Sequence, residues 1–159
     1  MCMSTHSANQ VADWFLSRIN TESGDTISPL KLQKLVYYAQ AWHLTVFNTP
    51  LFDEKIEAWM HGPVAPSVYY RFQEVCRDCV IEIENIEIEK VDFSPESEQL
   101  LSEVYAIYGE HSASYLEALT HNETPWLSAR NGLPEFVRCN NEITKESMKI
   151  FYSQMNNGQ

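Results

Sequence analysis

The stretch from residue 28 to residue 47, SPLKLQKLVYYAQAWHLTVF, constrains the fold more than any other part of the sequence. Apolar residues recur through it at the spacing of one helical face, and a second apolar set covers much of the remaining circumference. Ser28 suits an N-cap and Pro29 the first helical position, whereas Pro50 cannot continue a helix. A helix that is apolar on most sides must be packed by several neighbours, so the pattern predicts a central helix.

The polar residues of this predicted helix lie mainly in its first half. Lys34 is followed at i+3 and i+4 by Tyr37 and Tyr38, positions that share a helix face. We expect Lys34 to lay its aliphatic stem on the apolar surface and to keep its ammonium in water. Any function of the helix is therefore predicted at its exposed polar positions, Lys31, Lys34 and Gln40, while the apolar stripe serves the core.

The remaining segments predict a mainly α fold with a small β element, an α+β domain of about seven helices around the central one. Capping residues and 3.6-residue periodicity predict that the other helices begin near residues 7, 66, 95, 112, 124 and 144. The first of them is expected over 7–20 and the second from 66 to 76. No linker or internal repeat separates these segments, so residues 1–159 are expected to form a single compact domain.

Two segments alternate apolar and polar residues as short strands do. Residues 56–60 alternate and then break at His61-Gly62-Pro63. Residues 80–90, VIEIENIEIEK, alternate with a phase slip at Asn85, which predicts a tight hairpin or a bulge. The small β element of two or three strands is therefore predicted at 56–60 and 80–90, with the glutamates of the second segment facing water.

The net charge of −11 argues against nonspecific binding to nucleic acid or to an anionic membrane, because both need basic patches. It suits a basic partner, although solubility alone explains it as well. No stretch approaches the roughly 20 apolar residues that span a bilayer, and the first ten residues lack a secretory pattern. We therefore expect a cytoplasmic protein that does not bind a membrane.

The cysteine pattern offers little chemistry. Cys76 and Cys79 form a CxxC, but no second half-site completes a zinc site and no α/β context supports a thioredoxin-like one. Cys2 and Cys139 are isolated, so all four are expected to be reduced thiols. No P-loop, GxGxxG, GxSxG or HExxH is present, and the sequence predicts no catalytic residue, metal or cofactor.

The histidines allow one enzymatic alternative. His43, His61 and His121 would form a metal-dependent hydrolase site if they converged, with Glu57 or Glu123 beside them. Their spacing is not that of a known metal motif. A hydrogen-bonded core role for His43 and capping roles for His61 and His121 explain them more simply.

Three stretches in this order resemble the Panacea antitoxin domain, a family of phage-associated proteins and SocA-like antitoxins. The stretches are KLQKLVYYAQAWHL, PLFDEKIEAWMHGPVAP and LTHNETPWLSAR, and the resemblance covers about residues 27–152. It implies a mostly helical antitoxin that binds and neutralises a cognate toxin encoded beside it in a toxin–antitoxin system. Some relatives resemble proteolytic adaptors, so a protease is a second implied partner.

Many members of that family carry added DNA-binding segments. We identify no added helix-turn-helix here, and the acidic charge disfavours operator binding, so no direct DNA binding is expected. An antitoxin needs a stable core and a surface that covers its partner, and tryptophan and tyrosine are typical anchors of such surfaces. The predicted partner-binding residues are Lys31, Lys34, Tyr37, Gln40, Trp59, His61, Tyr70, His121 and Trp126. For Trp59 and Trp126 a place in the core is the favoured alternative, whereas Tyr70 lies off its helix's apolar stripe and is expected to be exposed.

Overall fold

Seven α-helices and three short strands are formed by residues 6–158, the part of the chain that this computed structural model describes. The helices are α1 (Ala8–Leu16), α2 (Pro29–Phe47), α3 (Pro66–Arg71), α4 (Pro95–Tyr108), α5 (Ala113–His121), α6 (Thr124–Arg130) and α7 (Lys145–Asn156). The strands are β1 (Ile56–Trp59), β2 (Gly62–Val64) and β3 (Glu142–Ile143). The mainly α fold with a small β element is confirmed. Two predicted helices are shorter than expected, since α1 stops at residue 16 and α3 at residue 71.

Helix α2 is the central helix that its sequence predicts. The Ser28 side chain accepts a hydrogen bond from the Lys31 backbone N–H, and Asn48 ends the helix in the left-handed conformation with φ 59°. Thirteen of its 19 residues are buried. It packs against α1, α3, α4, α5, α7 and β2, and these neighbours on several sides explain why it is apolar around most of its circumference.

The strands form one antiparallel sheet in the order β2-β1-β3. The β1–β2 hairpin turns between Trp59 and Gly62, whose φ of 107° suits a residue without a side chain. The Gln33 amide of α2 donates to the Ala65 carbonyl and accepts from the Ala65 N–H, at 3.1 and 2.9 Å. Two hydrogen bonds from one buried side chain therefore fix the end of the hairpin on the central helix.

The prediction of a strand at residues 80–90 is wrong. Among the described residues this segment pairs with no other strand, and its middle is a single 3-10 turn, Ile83–Asn85. Ile81 is buried, and its backbone N–H donates to the Ile27 carbonyl at 2.9 Å. The segment crosses the edge of the core with its isoleucines turned inward. The alternation of isoleucine and polar residues therefore reflects burial of one side of the segment, without the hydrogen bonds of a paired strand. The other two strands are β2, which lies where the sequence predicted a break at Gly62-Pro63, and β3, and neither was predicted.

The expectation of reduced thiols is also wrong for one pair. Cys76 and Cys79 are joined by a disulfide, because the tight turn after α3 brings their Cα atoms to 5.1 Å, within the range that a disulfide spans. Cys139 is a free thiol, and Cys2 lies outside the described residues. No helix that the structure describes is both long enough and apolar enough to cross a membrane.

Candidate partner-binding site

A cluster of side chains that is closed to solvent lies around the middle of α2. It is here named the tyrosine cluster and consists of Tyr37, Tyr38, Tyr108, Glu123 and Tyr152. One carboxylate oxygen of Glu123 accepts from the Tyr38 hydroxyl at 2.8 Å and from the Tyr152 hydroxyl at 2.7 Å. The hydroxyls of Tyr37 and Tyr152 are 3.0 Å apart, and Tyr38 stacks on Tyr108 with ring centroids 3.9 Å apart. These contacts tie α2 to α4, α7 and the start of α6.

Burial sets the protonation of the tyrosine cluster. It raises the pKa of the Glu123 carboxyl, although the two tyrosine hydroxyls that donate to it oppose this shift. It also raises the pKa of Tyr38 and Tyr152 above the usual tyrosine range, and that of Tyr108 to about 12. The group is saturated with internal hydrogen bonds and closed to solvent, so it is suited to stabilising the fold rather than to binding a partner.

Lys34 is fully buried, so the prediction that its ammonium reaches water is wrong. The hairpin turn covers it, and its Nζ donates to the Pro63 carbonyl at 3.1 Å. A Cβ added to Gly62 would lie 2.6 Å from Lys34 Cε, which shows how closely the turn sits on this side chain. Burial lowers the pKa of Lys34 to about 7, although the nearby Glu117 carboxylate opposes the shift.

Three more predicted partner-binding residues are also buried, so their side chains cannot contact a partner in this conformation. They are Tyr37, Gln40 and Trp126. The expected exposure of Gln40 is wrong, because its amide bonds the backbone of Leu51 and Phe52. The core position favoured for Trp126 is confirmed, and its indole N–H donates to the Trp59 carbonyl at 2.8 Å.

The other predicted residues reach the surface at least in part. Lys31 is half-buried and donates to the Gly109 carbonyl at 2.6 Å. Trp59 is half-buried, with its ring 4.8 Å from that of Tyr69. Tyr70 is 60% exposed, which confirms its predicted exposure.

The three histidines serve separate structural contacts. Both ring nitrogens of His43 are engaged, by the Thr49 carbonyl at 2.6 Å and the Ser97 hydroxyl at 2.8 Å. His61 contacts Glu117 at 2.9 Å. Within residues 6–158, no group of three or more His, Cys, Asp or Glu side chains is placed to hold a metal. The hydrolase alternative therefore has no support.

The third histidine, His121, packs at the end of α5. Its Nδ1 lies 3.4 Å from a Glu135 carboxylate oxygen, and its ring stacks on Trp126 at 4.1 Å. Burial lowers the pKa of His121, with Glu135 and Glu117 opposing that shift. The carboxylates of Glu57 and Glu123 are engaged elsewhere, Glu57 by the Trp59 indole and Glu123 by the hydroxyls of Tyr38 and Tyr152.

Beside the hairpin lies an open depression of about 720 Å³, here named the basic cleft. It is bounded by the first turns of α2, the β1–β2 turn, α3, the disulfide turn and the loop that precedes β3. Its lining is mainly apolar, from Leu30, Val64, Val68, Tyr69, Phe72 and Trp59. Its basic members are Lys34, His61, Arg77 and Arg138, and no Asp or Glu lines it among the described residues.

Two deeper contacts position the segments that form the cleft. The Leu30 backbone N–H donates to the Arg77 carbonyl at 3.1 Å, which ties the disulfide turn to the start of α2. Arg130 is almost fully buried, and its guanidinium donates to the carbonyls of Pro134 and Val137 and to that of Ala58 in β1. The loop before Arg138 is therefore held against the sheet.

Residues 32–127 match the family model described as Antitoxin SocA-like, Panacea domain. The chain belongs to this family. The curated protein Antitoxin SocA of Caulobacter vibrioides (strain NA1000 / CB15N) is 36% identical over 118 residues, which are 67% of this chain and 61% of that protein. The chain thus spans less than two thirds of the length of the curated relative that it matches. No solved structure matches the chain.

The match to the Panacea family confirms the resemblance carried by the three motif stretches. The matched residues include α2 from Leu32 onwards, the hairpin and α3, which contribute to one side of the basic cleft. Arg138 lies beyond the matched residues, in the loop before β3. Within this Panacea domain the cleft therefore combines a wall from the family region with a rim from a segment outside it.

Sequence reasoning missed Arg77 and Arg138 as members of this cleft. Arg77 was visible only as the interior of a CxxC, and Arg138 lies in a loop without periodicity, 61 residues further along the chain. Neither position carries a motif that points to the other. No signal along the sequence brings the two arginines together, and only the folded chain shows that both line one cleft.

Proposed function

We propose that this chain is an antitoxin that binds and neutralises a cognate toxin encoded beside it. The observation that carries the proposal is the match of residues 32–127 to the SocA-like Panacea domain. The relative's name, Antitoxin SocA, supports the same assignment. Neutralisation by covering a toxin needs no reaction at the antitoxin, so we propose that the protein acts without catalysis, in the cytoplasm, and without contacting DNA or a membrane itself.

The arrangement of the Panacea domain suits such a role. The polar residues in the middle of α2 are satisfied inside the fold, whereas Tyr69, which lines the cleft, and the adjacent Tyr70 are 43% and 60% exposed. Exposed aromatic side chains on a rigid element are typical anchors of protein interfaces. Of the predicted partner-binding residues, Trp59, His61 and Tyr70 lie on this face, and we propose that they contact the toxin.

The net charge of −11 supports a toxin whose overall charge is positive, because opposite charges steer and orient two proteins as they meet. A toxin that binds nucleic acid or nucleotides would have this property. Neutralisation by masking and delivery of the toxin to a protease share this binding step. The two mechanisms differ in the lifetime of the toxin.

Co-expression with the neighbouring gene tests the proposal. The chain should restore growth in cells that the neighbouring product arrests, and the two proteins should co-purify. Tyr70→Ala should weaken both effects, whereas Tyr115→Ala, which shortens an aromatic 49% exposed on α5, should not. A toxic neighbour that wild type neither neutralises nor binds would contradict the proposal. A longer toxin half-life in a protease-deficient strain would identify delivery to a protease, and an unchanged half-life would identify masking.

A further inference from the structure

The charge inside the basic cleft is opposite to that of the whole chain. The sequence holds 22 acidic residues against 11 Lys and Arg, yet the exposed charged side chains that line the cleft are Arg77 and Arg138. No described carboxylate lines it. Positive charge at this apolar depression attracts a negatively charged ligand. The acidic remainder of the protein surface repels the same ligand, so such a ligand is directed to the cleft.

The two arginines are available to a ligand. Arg138 is exposed and has no ion-pair or hydrogen-bond partner among residues 6–158. Arg77 meets only the neighbouring Asp78, at 3.5 Å, with side chains 49% and 67% exposed. An exposed pair of this kind contributes little, so the Arg77 guanidinium can exchange it for another carboxylate. Lys34 is fully buried behind the wall with its Nζ on the Pro63 carbonyl, so the charge that a ligand meets in the cleft comes from the two arginines.

The backbones that carry the arginines are held in place before any ligand arrives. The Cys76–Cys79 disulfide closes the turn around Arg77, and the hydrogen bond from Leu30 fixes the carbonyl of Arg77. The buried Arg130 holds the carbonyls of Pro134 and Val137 just before Arg138. Preorganised donors bind with a smaller loss of conformational entropy than flexible ones.

Between these charged groups the lining is apolar. Val64, Val68 of α3 and Phe72 just after it are buried, whereas Trp59 is half-buried and Tyr69 is exposed. A depression of about 720 Å³ falls in the range of small-ligand and peptide pockets and has room for a few side chains. Apolar lining with guanidinium groups beside it fits an apolar side chain flanked by carboxylates, since Arg binds carboxylates through two parallel N–H bonds.

We propose that the basic cleft binds a docking segment of the toxin in which large apolar side chains are flanked by Asp or Glu. The inference rests on the proposed antitoxin function and names the part of the toxin that this cleft recognises. A toxin that is basic overall meets the acidic surface of the domain, and its acidic segment enters the cleft. The opposite local charges fix the register of the complex.

A second copy of this chain is the rival occupant. Its Glu135-Phe136 would also offer a carboxylate beside an apolar ring, and Phe136 is 78% exposed. Two copies each carrying a net charge of −11 repel each other, which favours the toxin as the occupant.

The test reverses charge in the cleft and, as a control, elsewhere. The double variant Arg77→Glu/Arg138→Glu should bind the purified product of the neighbouring gene roughly 10- to 100-fold more weakly than wild type. The control Arg18→Glu/Lys149→Glu makes the same change in net charge outside the cleft, and it should lose less than about threefold. Unfolding midpoints of both variants are measured first. If the double variant fails to fold, Arg138→Gln alone is used, which should weaken binding in the same direction.

Overlapping peptides of the toxin locate the segment. Peptides that bind wild type and not the double variant should contain Asp or Glu beside an apolar residue. The inference is overturned if the cleft variants bind the toxin as tightly as wild type does. It is also overturned if the peptides that bind contain no carboxylate. The inference also fails if wild type sediments as a dimer and the double variant as a monomer, because the cleft would then be an interface between two copies of this chain. If wild type and the cleft variants neutralise the toxin equally, the cleft assignment alone is overturned. If wild type never neutralises the toxin, the antitoxin proposal is overturned.

Discussion

The tyrosine cluster and the basic cleft are both built on α2, yet their polar groups behave in opposite ways. In the cluster, the hydroxyls of Tyr38 and Tyr152 meet Glu123 within 2.8 Å and none of the three side chains is open to water. In the cleft, Arg138 has no partner among the described residues. Polar side chains are structural where the fold satisfies their hydrogen bonds, as it does in the cluster. A binding role is better sought at polar side chains that the fold leaves without a partner, as in the cleft.

The cost of disturbing each region should differ for the same reason. A buried donor or acceptor that loses its partner costs the full desolvation of that group, whereas an exposed one returns to water. Variants in the cluster should therefore change the free energy of unfolding, and variants at the cleft arginines should change binding. Four substitutions test this comparison.

Glu123→Ala should have the largest effect on stability. It leaves the hydroxyls of Tyr38 and Tyr152 without their shared acceptor in a dry environment, so we expect a loss of about 4 kcal/mol in the free energy of unfolding. Urea denaturation measures it. Glu103→Ala, at an exposed carboxylate whose side chain accepts from Gln99, is the control and should stay within about 0.5 kcal/mol. Equal losses for the two variants would show that the cluster does not stabilise the fold.

Gly62→Ala should cost about 3 kcal/mol, because the new Cβ would lie 2.6 Å from Lys34 Cε and 2.9 Å from Thr120 Oγ1 at a φ of 107°. Gly24→Ala is the matched control, since Gly24 has φ 89° with nothing within 4 Å of the added carbon. It should cost about 1 kcal/mol from the backbone conformation alone. If thermal or chemical unfolding gave both variants the same loss, close packing of the hairpin on Lys34 would be refuted.

Lys34→Met should change how stability depends on pH. The folded-state pKa of Lys34 is lowered to about 7 from 10.5, so between these values the unfolded chain binds more protons and the stability of wild type rises with pH. The rise is up to about 1.4 kcal/mol per pH unit. The variant lacks this contribution, so its stability relative to wild type should be greatest near pH 7 and fall towards pH 9.5.

Urea unfolding of both proteins at several pH values in that window measures the difference. Lys55→Met removes an exposed lysine and controls for the loss of a lysine from the unfolded chain. A Lys34→Met variant that kept the wild-type slope would mean that the Lys34 ammonium is not desolvated in the folded protein.

Arg138→Ala should have the smallest effect on stability, within about 0.5 kcal/mol, because the side chain is exposed and makes no described contact. Arg130→Ala provides the contrast eight residues earlier, since it removes a buried guanidinium that four backbone carbonyls accept from, and it should be clearly destabilising. Differential scanning calorimetry ranks the two. A large loss for Arg138→Ala would place that arginine in the scaffold and remove the contrast between cleft and cluster.

Local patterns were strong enough to predict α2. The Ser28-Pro29 start, the apolar periodicity and the Asn48-Thr49-Pro50 stop each act within a few residues, and the structure has the helix at Pro29–Phe47. The same local logic failed at residues 80–90. One-sided burial of isoleucines gives the alternation of a strand whether or not a partner strand is present, and a partner is a property of the whole fold.

The polar residues of α2 show where periodicity stops being informative. Lys34 and Gln40 are polar by type, and their exposure was expected for that reason. Whether a polar side chain is exposed depends on what packs over it, and here the hairpin and the segment at residues 51–52 do so. The exposed Tyr70 was predicted correctly because its place off the apolar stripe is a local property.

Caps, periodicity and motif order are read along the chain, and they were enough to predict the central helix, the mainly α class and the Panacea family. The burial of Lys34 under Gly62 and the shared bonding of two tyrosines from different helices to Glu123 became visible in the folded chain alone. The same is true of Arg77 and Arg138, which line one cleft. The members of these pairs are between 28 and 85 positions apart, and such pairings are set by how the elements pack together rather than by any pattern within one of them.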